Sequence, residues 1–357
     1  MKKYYKLTKI LQLNAVYNFI IGERSNGKTF ACLEYAVKEF IKNGNRFAYI
    51  RRRRDEMKAQ DIQKLCNKPI KEWTKGEYSI MNYYQNDFWL CNVDDKGIVH
   101  REALVGHRFN VQDELNYKSY EYPNVQTIIY DEVITSGSYL EDEFVEFENL
   151  LSTIIRDRLG VKIFMLGNTI SKYCPYFNEM GLTNVKKQKQ GTIDFYTYGE
   201  SLTTVALEYC RKRDDNESKL SKSTYFGFNN PKLKMITQGY WQIAIYPKLP
   251  VKYVPRNIVM NFFICFDGET LKADIVNVDR TLFIYIMPFT REMTKKDTTI
   301  IYQQEFSVNP LHHRNILTGT QPYAKLIQSL FKDDKVFYQS NEVGDLVNAY
   351  LEWCYNL

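Results

Sequence analysis

No apolar run in this sequence approaches the ~20 residues that carry a helix across a bilayer, so helical membrane proteins are excluded. The opening stretch, MKKYYKLTKILQL, is basic but lacks an apolar signal core and a cleavage site. A soluble, cytoplasmic protein is therefore expected. The seven cysteines (32, 66, 91, 174, 210, 265 and 354) form no C-x-x-C pair and have no nearby histidine partner. That argues against a zinc site and against a disulfide framework, and leaves reduced thiols. There is no internal repeat and no low-complexity tract, so solenoids and disordered arrays are set aside. Nor is there a polybasic tail: the formal charge of +6 is a mild excess, which permits a nucleic-acid partner without requiring one.

What is present is a long, ordinary globular chain. Its 357 residues suffice for two domains with separate cores, and its 44% hydrophobic content is typical. The 28 Tyr and 21 Phe are expected mostly in cores or interfaces.

The organising stretch is Val16–Phe30, VYNFIIGERSNGKTF. Val16–Ile21 has the composition of a buried strand. Gly22, Glu23, Arg24, Ser25, Asn26, Gly27, Lys28 and Thr29 fit the P-loop pattern G-x-x-x-x-G-K-[ST] at every fixed position. A helical run, Phe30–Ile41, follows. Gly22 and Gly27 let the backbone turn its N–H groups toward phosphate oxygens, and the helix start adds its positive end. Lys28 is expected on the outer phosphates of ATP, and the Thr29 hydroxyl on Mg²⁺. The bland alternative is a chance glycine turn before a helix.

Arg46–Ile50 reads as a second strand running into Arg51, Arg52, Arg53 and Arg54. Ligands gather at the carboxyl ends of strands in open α/β sheets. The four arginines are therefore either a DNA-contacting cluster or a solvated charge run. Asp87–Val93 and Ile98–Phe109 suggest a hairpin, and Tyr117–Asn124 (YKSYEYPN) a polar loop. Thr127–Tyr130 is an apolar strand ending in Asp131 and Glu132, the Walker B pattern: Asp131 would hold the metal and Glu132 would act as general base toward water. Glu141–Arg158 is expected to be a helix with Phe144, Phe147, Leu151, Ile154 and Ile155 on one face and Arg156 on the other. Arg156 is either a residue reaching outward to a neighbour or a surface arginine at a helix end. Val161–Leu166 is a further strand, followed by Asn168, placed to sense the γ-phosphate or simply to form a turn.

Composition shifts after about residue 200. The reading is a P-loop domain over 1–200, a linker over 201–230 and a smaller α+β domain over 231–357. In the last, a meander (Ile258–Phe266, Leu271–Val278, Thr281–Ile286) is followed by a helix, a strand and a closing helix.

Several pieces together carry a more specific resemblance: NFIIG with the P-loop, the AYIRR strand end, KSYEYPN, the TIIYDE strand, the IIRDR helix end, and LGN followed by PYF. In this order they resemble the genome-packaging motor ATPases of the small phi29-like tailed phages, over roughly the first half of the chain. The second half matches in layout. The resemblance implies an α/β P-loop NTPase domain of the ASCE, RecA/terminase-like class, plus an RNase H-like domain without nuclease activity. It implies a homo-oligomeric ring, a pentamer in the family, that packages double-stranded DNA through a portal on the procapsid in the host cytoplasm. It also implies catalytic roles for Arg156, as an arginine finger in trans, and for Lys118, facing the adjacent subunit's nucleotide. Arg51 and Arg52 match paired arginines of the family, and Arg24 an arginine in its P-loop. The loop GERSNGKT departs from the family in being more polar and in ending with Thr rather than Ser; either hydroxyl can bind Mg²⁺. Two other classes stay open: a P-loop kinase, against which Glu132 argues, and a nuclease subunit.

Overall fold

The computed structural model describes residues 4–55, 59–135, 139–171, 174–185, 187–199, 202–211, 245–290, 300–355 and 357. Two units, Met1–Gln242 and Ile243–Leu357, each carry their own sheet.

In the first unit a single turn, α1 (Thr8–Leu11), precedes β1 (Tyr17–Gly22), and the P-loop leads into α2 (Lys28–Asn43). Then come β2 (Arg46–Arg51), α3 (Ala59–Asn67), α4 (Ile70–Trp73), β3 (Ile80–Tyr84), β4 (Asp87–Val93) and β5 (Val99–Asn110). A 3₁₀ segment, Val111–Tyr117, leads to β6 (Val125–Asp131), α5 (Glu143–Ile155), β7 (Lys162–Asn168), α6 (Pro175–Glu179), β8 (Ile193–Tyr198) and β9 (Thr203–Tyr209). The strand order is β3-β4-β5-β2-β6-β7-β1-β9-β8. From β5 to β9 every neighbouring pair is parallel; the pairs toward both edges are antiparallel.

Alternation along the central strands splits the core into two faces. Phe19, Ile21, Ile50, Ile128, Tyr130 and Met165 pack with the α5 side chains Phe147, Leu150, Leu151 and Ile154. Ile20, Phe47, Tyr49, Ile129 and Phe164 pack with Ala31, Leu33, Ala36 and Val37 of α2. Helices thus cover both faces, which explains why these strands read as continuous apolar runs. α2 ends where Gly44 takes φ +71° and its N–H bonds the Phe40 carbonyl at 2.8 Å.

Two expectations change. The helix expected over 141–158 spans only Glu143–Ile155, so Arg156 lies just beyond it with φ +51°. The linker expected from residue 201 begins later, because Thr203–Tyr209 is a strand paired in parallel with β1. The part of that linker from 212 to 230 lies outside the described residues.

In the second unit β10 (Ile258–Phe266), β11 (Glu269–Val278) and β12 (Thr281–Pro288) form the expected antiparallel meander. β13 (Ile300–Gln303) runs parallel to β10, with β14 (His312–His313) beside it. α7 (Pro322–Lys332), β15 (Val336–Tyr338), parallel to β12, and α8 (Asn341–Tyr355) complete a mixed α+β unit. Its core joins Phe262, Ile264, Ile275 and Ile284 of the sheet with Ile327 of α7 and Val347 of α8, all fully buried.

Candidate nucleotide site

Because β2, β6, β7 and β1 are neighbours and parallel, their carboxyl ends meet along one edge. Register places Gly22 beside Asn168 and Asp131 beside Leu166. The P-loop, Arg51, Asp131 with Glu132, and Asn168 are gathered there by sheet order alone.

The P-loop turns through Ser25 at φ +58° and Gly27 at φ +94°. A Cβ on Gly27 would be strained by this φ and would also crowd the Tyr4 side chain at 3.2 Å. The Asn26 side chain accepts the Lys28 N–H at 3.2 Å. The Lys28 ammonium is buried and donates to the Glu23 carbonyl at 2.9 Å, the Gly22 carbonyl at 3.4 Å and Asn168 Oδ1 at 3.2 Å. Burial lowers its pKa, and nearby charges such as Asp131 act the other way.

Asp131 is built into the same corner. Its Oδ2 accepts the Thr29 hydroxyl at 3.0 Å and the Tyr49 hydroxyl at 2.7 Å. A hydroxyl and a carboxylate oxygen so placed are the hard donors Mg²⁺ takes, so this pair fits that ion. Burial and then Asp131 push the Tyr49 pKa well up, which keeps the phenol a donor. Glu132 has a left-handed backbone (φ +61°), and its side chain is half exposed.

A cavity of about 1010 Å³ opens over this corner. Arg24, Ser25, Asn26, Gly27, Lys28, Thr29, Asp131, Glu132 and Asn168 line it, together with apolar and aromatic side chains such as Phe30 and Leu65. The structure thus brings together most of the expected nucleotide residues. Gly22 and Glu23 contribute through their carbonyls, beneath the loop.

The arginine run requires a correction. Arg51 and Arg52 were expected either on DNA or in solvent, and they are in neither place: both are buried. Arg51 pairs with Glu132 at 2.5 Å and lies 3.9 Å from Asp131. Burial works against its charge, but the Asp131 and Glu132 carboxylates beside it favour the charge, and its pKa is raised. Arg52 pairs with Glu143 at 2.6 Å. A buried, ion-paired guanidinium has no access to a phosphate backbone. Arg53 is half-buried, and Arg54 is exposed and paired with Asp113 at 3.0 Å.

Lys118 and Arg156 lie elsewhere. Lys118 pairs with Glu114 at 3.3 Å. Arg156 pairs with Glu121 at 2.9 Å and donates to the Tyr120 carbonyl at 3.1 Å. Both belong to one surface region around the loop 117–124, and neither is among the described residues lining the cavity. Tyr49 and Glu143 were missed by sequence reasoning. Tyr49 carried one readable signal, a hydroxyl placed two residues before the strand's last residue on the α2-facing side.

Comparison with known proteins adds the family. The family described as Podovirus DNA encapsidation protein (Gp16) matches residues 1–190. The chain is 30% identical over 188 residues to a DNA packaging protein of Bacillus phage PZA, 49% of each chain. It is 31% identical over 176 residues to that of Bacillus phage B103, 48% of this chain and 50% of the relative. The chain thus spans about half the length of the curated relatives it matches. Among solved structures, the bacteriophage Phi-29 viral genome packaging motor assembly matches with a TM-score of 0.60 at 22% identity, over 97% of both chains. The Phi-28 gp11 DNA packaging motor matches with 0.55 at 17% identity, over 100% of this chain and 99% of that one. These likenesses bear out an α/β P-loop ATPase fold followed by a second domain. With more than half of its length matched, the chain belongs to the podovirus DNA encapsidation protein (Gp16) family.

Proposed function

We propose that this chain is an ATP-driven motor subunit that moves double-stranded DNA into a capsid. The observation that carries the reading is the convergence of Lys28, Thr29, Asp131, Glu132 and Asn168 at one sheet edge under one cavity. The matched relatives are DNA packaging proteins, which supplies the cargo.

In this reading the Lys28 ammonium leaves the Gly22 and Glu23 carbonyls and Asn168 to meet the outer phosphates of ATP. Thr29 and Asp131 would hold Mg²⁺, which when bound neutralises charge on the phosphate oxygens. Glu132 takes the proton of the attacking water. To do so its carboxylate must part from Arg51, because a carboxylate in a charge-assisted pair is a poor base. Asn168, already bonded to Lys28, reports whether the γ-phosphate is in place. Arg24, exposed on the loop, adds positive charge at the cavity mouth.

A homo-oligomeric ring on the portal completes the site. Arg156, held away from its own cavity, would enter a neighbour's site as an arginine finger, with Lys118 beside it. In this reading Arg54, exposed, and Arg53 next to it would be the members of the arginine run that meet DNA phosphates, contacts that grip without reading sequence. No helix among the described residues is long and apolar enough to cross a membrane. In this reading the motor works in the host cytoplasm and on the procapsid.

The test is phosphate release from ATP and Mg²⁺, with and without double-stranded DNA, alongside a mass measurement of the assembly. DNA-stimulated release by an oligomer is expected. Phosphate transfer to a small acceptor instead would make the protein a kinase and sink the motor reading.

A further inference from the structure

Behind the cavity lies a buried ion pair that the nucleotide chemistry does not touch. Arg52 follows β2 and Glu143 opens α5, and both side chains are almost fully buried. Arg52 Nε donates to Glu143 Oε2 at 2.6 Å, and its guanidinium lies 4.7 Å from the centre of the Tyr139 ring. The same guanidinium donates to two successive carbonyls, Glu132 at 3.4 Å and Val133 at 2.9 Å. Glu143 is saturated from the other side: Oε1 accepts the Tyr130 hydroxyl at 2.7 Å and the Tyr176 hydroxyl at 3.0 Å, and Oε2 accepts the Leu140 N–H at 2.9 Å.

The placement matters because of the backbone it holds. Glu132 sits at φ +61°, a conformation that a residue with a Cβ adopts only when its surroundings impose it. On the N-terminal side, its N–H is taken by Asp131 Oδ1 at 3.1 Å. On the C-terminal side, the Val133 N–H bonds the Leu166 carbonyl of β7 at 2.9 Å. The two carbonyls of the turn are left to Arg52. A buried charge pair is poor evidence for stability, since well-packed apolar side chains fill such a volume at lower cost. Apolar side chains could not supply donors to both carbonyls.

We propose that Arg52 and Glu143 are positioning residues: Glu143 fixes the Arg52 guanidinium, which clamps the left-handed turn and so aims the Glu132 carboxylate into the cavity. This rests on the reading of Glu132 as the base toward water. It predicts that losing the clamp leaves nucleotide binding intact and slows the chemical step, because a small misplacement of a catalytic group costs on the order of 10²-fold in rate.

The test compares the full chain with Arg52→Met/Glu143→Leu, Arg52→Lys and Glu143→Gln. The readouts are steady-state kcat and KM, binding of a fluorescent ATP analogue, and thermal melting. The double variant fills the volume without charge. It should melt below wild type, because the Glu132 and Val133 carbonyls, the Tyr130 and Tyr176 hydroxyls and the Leu140 N–H lose their partner, yet where folded it should bind the analogue within about threefold of wild type and lose about 10²-fold in kcat. Arg52→Lys keeps a donor for one carbonyl and should recover part of that loss. Should the double variant fail to fold, Glu143→Gln keeps the volume, and its kcat should fall with binding unchanged. A folded double variant with wild-type kcat overturns the positioning role alone. So does a loss of binding that matches the loss of kcat, which would make the pair merely structural. A wild-type chain that binds the analogue but releases no phosphate overturns the hydrolysis reading and this role together.

Discussion

Lys28 and Glu132 are each held by a partner that the proposed chemistry makes them give up. The Lys28 ammonium rests on loop carbonyls and Asn168, and the Glu132 carboxylate rests on Arg51. In the proposed reading a polyphosphate would offset the burial that disfavours the Lys28 ammonium, so binding and the displacement of Lys28 are one event. Lys28→Ala should therefore weaken ATP binding and abolish turnover together. Glu132→Gln should bind ATP as wild type does and lose hydrolysis, because the amide cannot accept the water's proton. Parallel nucleotide-binding and phosphate-release assays separate the two. Wild-type turnover by the Gln variant would remove Glu132 from the reaction. Thr29, Lys28, Asp131 and Glu132 were legible in the sequence because a P-loop and an acid-tipped strand are local patterns. Arg51 and Arg52 were not legible, since four successive arginines read as a hydrophilic run. What buries them is sheet order: β2 lies next to β6, so the arginines at its end meet the acids at the end of β6 and at the start of α5.

At the scale of the element, α5 joins two parts of the proposed chemistry. Its first residue, Glu143, braces the turn at Glu132, and the residue just past its end is Arg156. The periodicity of 141–158 revealed the buried face correctly, with Phe147, Leu151 and Ile154 in the core. The C-terminal end was overextended, because nothing in IIRDR signals that Arg156 leaves the helix with φ +51°. That turn sends Arg156 toward Glu121 and Tyr120. Glu121 is largely exposed, and such a surface pair contributes only about 0–1 kcal/mol, so in the proposed ring it would give way to a phosphate on a neighbouring subunit. Arg156→Ala should bind ATP yet hydrolyse it ~10³–10⁵ times more slowly. Mixing this variant with an excess of Glu132→Gln subunits should restore some activity, since one subunit then lends Arg156 and the other Glu132. Verified mixed rings with no recovery would assign Arg156 a role within its own subunit.

At the scale of the whole molecule, the second unit poses its own chemical question, because the RNase H-like sheet that the resemblance implies for it is a common frame for metal-dependent DNA cleavage. Such a site holds two metal ions between several carboxylates, one of them from the middle of the first strand. Here that strand, β10, has the sequence IVMNFFICF and contains no acid. Asp274, opposite Asn261 on β11, is buried, and its carboxylate is already engaged. Oδ2 accepts the Tyr253 hydroxyl at 3.0 Å, and the Lys272 ammonium lies 2.9 Å from Oδ1. A lysine beside the carboxylate supplies the positive charge that a metal would otherwise bring, and repels the metal itself. Asp267 sits in the β10–β11 hairpin turn with φ +54°, ahead of Gly268, where an aspartate serves the turn. Among the described residues no group of three or more His, Cys, Asp or Glu side chains is placed to hold a metal ion. The full chain incubated with Mg²⁺ or Mn²⁺ should therefore leave both linear and supercoiled double-stranded DNA intact, while phosphate release from ATP proceeds in the same tube. The electrophoretic check has a definite losing outcome. Cleavage that needs the metal, and that disappears in Asp267→Ala or Asp274→Ala, would make this unit an enzyme.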